Sequence, residues 1–336
     1  MPFAVDAEEV EGRRAKLAFA GGCRKTHHSV LVGRGGRGYV RMLAEMLAPF
    51  GASPPMRVVR HTDPDAFLEA ALPMAARGEA SASFFSAAAH TLKRTPPRAS
   101  DRVYLASYSG DDGLGVAIQR DSGPVLIGKS DIAAARAFAE DLARDWPGLQ
   151  GVMGAPAGCH AFAERWRDLT GRGHRLRVRL RQHALTTVNA VPSAPGAPRL
   201  AEVGDVEWLI EMHVAFIAEV GLPDPPERVR EFMPLRIARG DYWIWNDRAP
   251  VAYVGYNDAA PDFARIAPVY TIPDARGRGY ATALVAELAR ELLARGKRKL
   301  FLTTDVANPT SNAIYARIGF RAENDDCGFD FVVPDA

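Results

Sequence analysis

Two stretches near the end of the 336-residue chain bring together residue types suited to gripping an anion and moving a proton. The first reads Val269-Tyr270-Thr271-Ile272-Pro273-Asp274-Ala275-Arg276-Gly277-Arg278-Gly279-Tyr280-Ala281. Apolar residues give way to a turn, two glycines and then a helical period, so a strand end passes into a long helix. Without a Cβ, Gly277 and Gly279 let main chain approach an anion, and the free amides of a first helical turn offer donors and positive potential. Arg276 and Arg278 add charge suited to phosphate oxygens. Taken alone, the tract is equally served by a tight turn with solvated arginines.

The second stretch reads Asn308-Pro309-Thr310-Ser311-Asn312-Ala313-Ile314-Tyr315-Ala316-Arg317-Ile318-Gly319-Phe320. Asn as N-cap, Pro at the first helical position and Gly at the end are the ordinary punctuation of a short helix. Capping does not account for Tyr315, which shares a face with Ser311 one turn earlier. Spacing alone leaves two readings open, a half-buried core aromatic or a proton donor.

The spacing Arg276-x-x-Gly279-x-Ala281, followed by the Asn308-to-Phe320 segment, resembles the GNAT superfamily of N-acetyltransferases over residues 199 to 333. Within it, the runs Pro268-Val269-Tyr270-Thr271 and Asp305-x-x-Asn308-Pro309-Thr310-Ser311-Asn312 are similar to those of a bacterial group with two tandem domains, the first lacking the cofactor motif. The resemblance implies acetyl-CoA as cosubstrate and an amine as acceptor. It implies a cofactor-binding set of Val269, Tyr270, Thr271, Arg276, Gly277, Arg278, Gly279, Tyr280, Ala281, Asn308 and Ser311. The loop amides would hold the pyrophosphate, the strand 268–271 would pair with the pantetheine amides, and amides near Val269 and Tyr270 would polarise the carbonyl. It also implies that Tyr315 protonates the departing thiolate; a phenol of pKa near 10 is protonated at neutral pH yet able to donate.

Transfer to an amine needs a neutral nucleophile, so some group takes up a proton. Glu219 and His213, on the first helix after residue 199, and Asp305, just before Asn308, are the candidates. Each also has a plain structural reading, as a solvated helix carboxylate, a helix-face histidine and a loop-capping aspartate. The strand 264–271 carries no glutamate.

The positioning elements follow from periodicity. After a short strand at 199–202, helices are expected at 205–220 and 226–238, and strands at 242–245, 250–256 and 264–271. A helix opening at Arg278, a strand at 299–304, a helix at 309–318 and two closing strands complete the series. Residues 56–187 repeat that order with different residues, the pattern of an ancient duplication. Strands outnumber crossover helices, so the fold class is α/β with a mixed sheet, in two tandem domains. The expected organisation is an extension at 1–55, a degenerate domain at 56–190, a Pro-rich linker at 191–198 and a catalytic domain at 199–336. Where the first domain's cradle belongs it has Leu126-Ile127-Gly128-Lys129-Ser130-Asp131, one glycine and an acid at the helix start, an unfavourable anion site.

Composition narrows the partners. With 42 basic and 40 acidic residues the formal net charge is +2, too small a field to recruit nucleic acid or an anionic membrane. No run approaches the roughly 18 apolar residues of a membrane span and the start is unlike a signal peptide, so a cytoplasmic protein is expected, monomer or homodimer. Cys23, Cys159 and Cys327 show no metal-ligand spacing, and His27 and His28 beside Cys23 have no further ligand, so no metal is expected. Gly33-Arg34-Gly35-Gly36-Arg37-Gly38 has the form of a dinucleotide fingerprint but lacks the long strand and βαβ context that give it meaning. Two rival functions stay open: a CoA-binding regulator that has lost catalysis, and a transferase that uses aminoacyl-tRNA, which the modest charge disfavours.

Overall fold

From residue 57 onward the chain lays down one order of elements twice. The first pass is β3 (Arg57–His61), α1 (Pro64–Ala75), α2 (Glu79–Arg94), β4 (Val103–Gly110), β5 (Gly113–Arg120), β6 (Val125–Ile127), α3 (Ile132–Asp145), β7 (Gly151–Gly154), α4 (Pro156–Thr170) and β8 (Gly173–Leu185). The second is β9 (Ala197–Leu200), α5 (Val206–Val220), α6 (Pro226–Ala238), β10 (Tyr242–Asp247), β11 (Ala249–Ala260), β12 (Phe263–Thr271), α7 (Tyr280–Ala294), β13 (Lys299–Asp305), α8 (Pro309–Ile318) and β14 (Arg321–Val332). The computed structural model describes residues 15–16, 29–30, 57–75, 79–94, 101–120, 123–222 and 225–332. Met1–Ser53 and Pro54–Ala336 separate as two units. In the first, β1 (Ala15–Lys16) pairs antiparallel with β2 (Ser29–Val30). Cys23, His27, His28 and the glycine tract at 33–38 lie outside the described residues.

In the second unit twelve strands make one mixed sheet, ordered β3-β4-β5-β6-β7-β14-β8-β13-β12-β11-β10-β9. Only β6 with β7 and β12 with β13 run parallel, as the count of strands over crossover helices requires. The centre of the sheet carries an exchange. The last strand of the second pass, β14, pairs with β7 of the first, and the last strand of the first pass, β8, pairs with β13 of the second. β8 and β14 then pair with each other along most of their length.

Cores form on both faces. Phe331 of β14 stacks on Trp166 of α4 at 5.2 Å and Phe329 is buried in the same cluster, so the chain's last strand completes the first half's core. Leu284, Leu288 and Leu292, one turn apart on α7, are buried against β11, β12 and β13. The two halves are also tied by Arg265 of β12. Its buried guanidinium donates to Ala80 O (3.2 Å) and Ser83 Oγ (2.9 Å) on α2, to Gln182 Oε1 (3.3 Å) on β8 and to Thr303 Oγ1 (2.6 Å) on β13. Burial draws its pKa down to about 10, and the hydrogen bonds keep it satisfied there.

The segment after residue 188 packs closely: Val188, Val191 and Ala194 lie against the second half's core, Trp245 Nε1 donates to Pro195 O at 2.7 Å, and β9 begins at Ala197. The expected pair of closing strands needs correction. The two are one strand, β14, because Gly328 sits inside the strand at a register shift and forms no turn. Likewise residues 173–185 form a single strand.

Candidate active site

The sheet opens between β12 and β13. They pair only through Phe263, Ala264 and Arg265, against Lys299, Leu300 and Phe301. Beyond that point β12 continues to Thr271 with a strand neighbour on the β11 side alone. The main-chain donors and acceptors of its other edge are left for something else. Here lies a cavity of about 590 Å³.

α7 begins at this opening. Its N-cap is Gly279, at φ +85°, with no side chain to cap the helix, so the first-turn amides have no acceptor within the helix. A Cβ at Gly277 would meet nothing within 4 Å and one at Gly279 only Ala194 at 4.0 Å, so open space lies before both. Both glycines have positive φ, which a side chain would strain. Gly277, Gly279, Tyr280 and Ala281 line the cavity, as do Val269, Tyr270, Thr271, Arg276, Asn308 and Ser311. Arg278 is exposed and lies outside that lining. The Thr271 hydroxyl is buried without a hydrogen-bond partner.

α8 forms the opposite wall. Its start, unlike that of α7, is closed by its own residue: Asn308 Oδ1 accepts from Ser311 N at 3.0 Å. Tyr315 is buried, lies edge-on to Phe320 at 5.9 Å and lines the cavity. Burial raises the pKa of its phenol above the usual value, keeping it protonated.

The three candidate bases part company. Glu219, on the last turn of α5, is at the rim and is the one acidic residue among the lining residues. Its carboxylate pairs with Arg276 Nη2 at 2.7 Å, while Arg276 Nε donates to Thr271 O at 3.1 Å and the guanidinium lies 5.4 Å from the Tyr270 ring centre. Asp305 is exposed at the end of β13, where Oδ1 accepts from Ala307 N at 2.8 Å, and it does not line the cavity. His213 is buried on α5, its Nδ1 3.2 Å from the Tyr253 hydroxyl. Burial, assisted by Arg236, brings its pKa down to about 4, and it faces a different cavity. Sequence reasoning missed Phe216 and Val220, which join Glu219 on the cavity wall. Their flanking of Glu219 on the same helical turn was the available signal.

The first half differs at each of these places. β6 and β7 stay paired through Ile127 and Gly154. Asp131 occupies the N-cap of α3, its Oδ2 accepting from Leu114 N at 2.8 Å. Pro156 opens α4 as Pro309 opens α8, and at the distance from it where the second half has Tyr315 stands the buried Phe162.

Comparison with known proteins accords with this geometry. Residues 207–320 match the model of the acetyltransferase (GNAT) family. No curated protein matches the chain. The fold is similar to that of a GCN5-related N-acetyltransferase from Sphaerobacter thermophilus, at TM-score 0.56 and 15% identity over 85% of this chain and 98% of that one. A GNAT-family acetyltransferase from Colwellia psychrerythraea gives 0.51 at 10% identity, over 82% and 98%. A GCN5-related N-acetyltransferase from Kribbella flavida gives 0.51 at 17%, over 76% and 96%. Residues 207–320 therefore carry the match to the acetyltransferase (GNAT) family, in a chain whose fold is similar to that of GNAT proteins and whose order of elements runs twice.

Proposed function

We propose that this protein transfers an acetyl group from acetyl-CoA to an amine by direct attack. One observation carries the reading: the uncapped start of α7, the free edge of β12 and the Tyr315 phenol meet in a single cavity. The residues fit the cosubstrate. Amides without partners, glycines without neighbours and Arg276 suit a diphosphate, and a strand edge without a partner suits an amide-bearing arm. When bound, acetyl-CoA supplies an activated acyl carbon and a sulfur leaving group.

The chain supplies the rest. Main-chain N–H groups near Val269 and Tyr270 hydrogen-bond the acyl oxygen as negative charge builds on it. Tyr315 donates its proton to the departing sulfur. Glu219 accepts the amine's proton, directly or through water, once Arg276 has turned from it to phosphate. The first half, with Asp131 at its helix start and Phe162 in place of a phenol, serves as scaffold and as part of the acceptor's surroundings.

Incubating the protein with acetyl-CoA and a panel of amines, with free thiol and acetylated product both measured, tests the reading. Stoichiometric release of thiol with product is expected. Saturable acetyl-CoA binding without turnover for any amine, polyamine, amino acid or peptide would favour a CoA-binding regulator. Glu219→Gln is expected to lower kcat about tenfold or more. It should leave acetyl-CoA affinity unchanged or raise it up to about fivefold, the worth of the exposed ion pair that holds Arg276 back.

A further inference from the structure

A second cavity, of about 240 Å³, lies on the seam between α2 of the first half and α6 with β11 of the second. Arginines outnumber carboxylates among its lining residues. At one end the buried Asp241 accepts from Arg236 Nε at 3.2 Å and from Arg239 Nε at 3.3 Å, so two guanidiniums share one counter-ion. Arg236 is held in place by a further bond from Nη2 to Tyr256 O (2.7 Å) and by lying over the Tyr242 ring at 4.6 Å. The remaining N–H donors of the pair have no partner among the described residues. Elsewhere on the wall Arg94 pairs with Asp258 at 3.4 Å and Arg228 with Asp101 at 3.4 Å, and Arg120 and Glu231 complete the charged lining. The Arg236–Arg239 end is the positive pole.

His213 lines the same cavity. Its ring is fixed by Phe232 at 5.4 Å, Phe216 at 6.0 Å and the Tyr253 hydroxyl on Nδ1. Nε2 has no partner among the described residues. His213 lines the cavity, and a ring proton on Nε2 would donate to a carboxylate seated there. Two guanidiniums and an imidazole on the wall of one cavity match a carboxylate in charge. A cavity of this size admits a small organic acid.

We propose that the seam cavity is a second ligand site that takes a small organic carboxylate on Arg236, Arg239 and His213. It is separate from the cavity at α7. The two share an aromatic wall, for Phe216 and Tyr270 line the one while His213 lines the other, and Tyr253 touches both His213 and Tyr270.

The full chain, titrated calorimetrically at constant ionic strength with acetate, succinate, citrate and L-glutamate, with phosphate and chloride as control anions, tests this. Saturable binding of at least one carboxylate is expected. It should weaken tenfold or more in Arg239→Gln, whose side chain is 31% exposed and outside the core, and stay unchanged in Arg276→Ala. His213→Phe keeps the ring packing, removes the Nε2 donor, and is expected to weaken binding severalfold. Absence of saturable binding in a protein that melts cooperatively overturns the proposal. So does phosphate binding of equal strength, or carboxylate affinity that survives both the Arg239 and His213 substitutions.

Discussion

At the residue scale, the two groups with the largest consequences are buried aromatics whose protonation the fold controls. Tyr315 sits where burial favours the neutral phenol, the state the proposed proton transfer requires. Tyr315→Phe removes one hydroxyl from a packed ring. Expected is a loss of about 10²–10⁴ in kcat with acetyl-CoA affinity intact; steady-state kinetics beside calorimetry checks both halves of the statement. His213 works in the opposite sense. Its folded pKa of about 4 lies below the ordinary 6.5, so the unfolded chain takes up the proton first as pH falls. Its contribution to stability is complete above pH 6.5 and is lost between 6.5 and 4, on the order of 3 kcal/mol in all. Denaturant melts across that window should show His213→Phe losing less stability than the natural protein by about that amount.

At the element scale, the proposed site is arranged by how two strands and two helices begin and end. The parting of β12 from β13 after Arg265 creates an unpaired strand edge, and the glycine N-cap of α7 creates an uncapped helix start beside it. In the first half β6 and β7 stay paired to their ends and a carboxylate, Asp131, stands at the corresponding helix start. Gly279→Asp transplants that carboxylate. Aspartate tolerates left-handed backbone better than most side chains and can cap the helix, so the fold should persist within about 1–2 kcal/mol. A carboxylate facing a diphosphate should nonetheless weaken acetyl-CoA binding a hundredfold or more. Thermal melting and calorimetry, run on one preparation, separate the two effects.

At the scale of the whole molecule, the exchange of β8 and β14 makes neither half complete without the other. A chain reduced to residues 199–336 keeps every residue proposed for transfer, yet β13 loses its β8 neighbour and β14 loses both of its partners. Phe329 and Phe331 lose the core that covers them, and Arg265 loses its acceptors on α2 and β8. Unpaired strand edges and bare aromatics favour self-association. The fragment is expected to aggregate, or to dimerise by re-forming the exchange, and size-exclusion chromatography with circular dichroism shows which. A well-folded monomeric fragment that binds acetyl-CoA would contradict this account of the first half as scaffold.

The sequence by itself determined the element order of both halves, the mixed sheet and the two segments that face one another across the cavity. These are local matters: periodicity, caps and glycines act within a turn or two of chain, so Pro226–Ala238 and Pro309–Ile318 could be bounded from residue types alone. Local pattern divides the closing strand β14 in two, since the partners that keep it continuous lie far away in sequence. Only tertiary structure decided that Asp305 faces the loop, that Glu219 meets Arg276, and that His213 belongs to the seam. It alone revealed the strand exchange and the seam cavity. Side-chain surroundings of this kind are set by contacts between segments a hundred or more residues apart, and no local pattern encodes which distant surface will arrive.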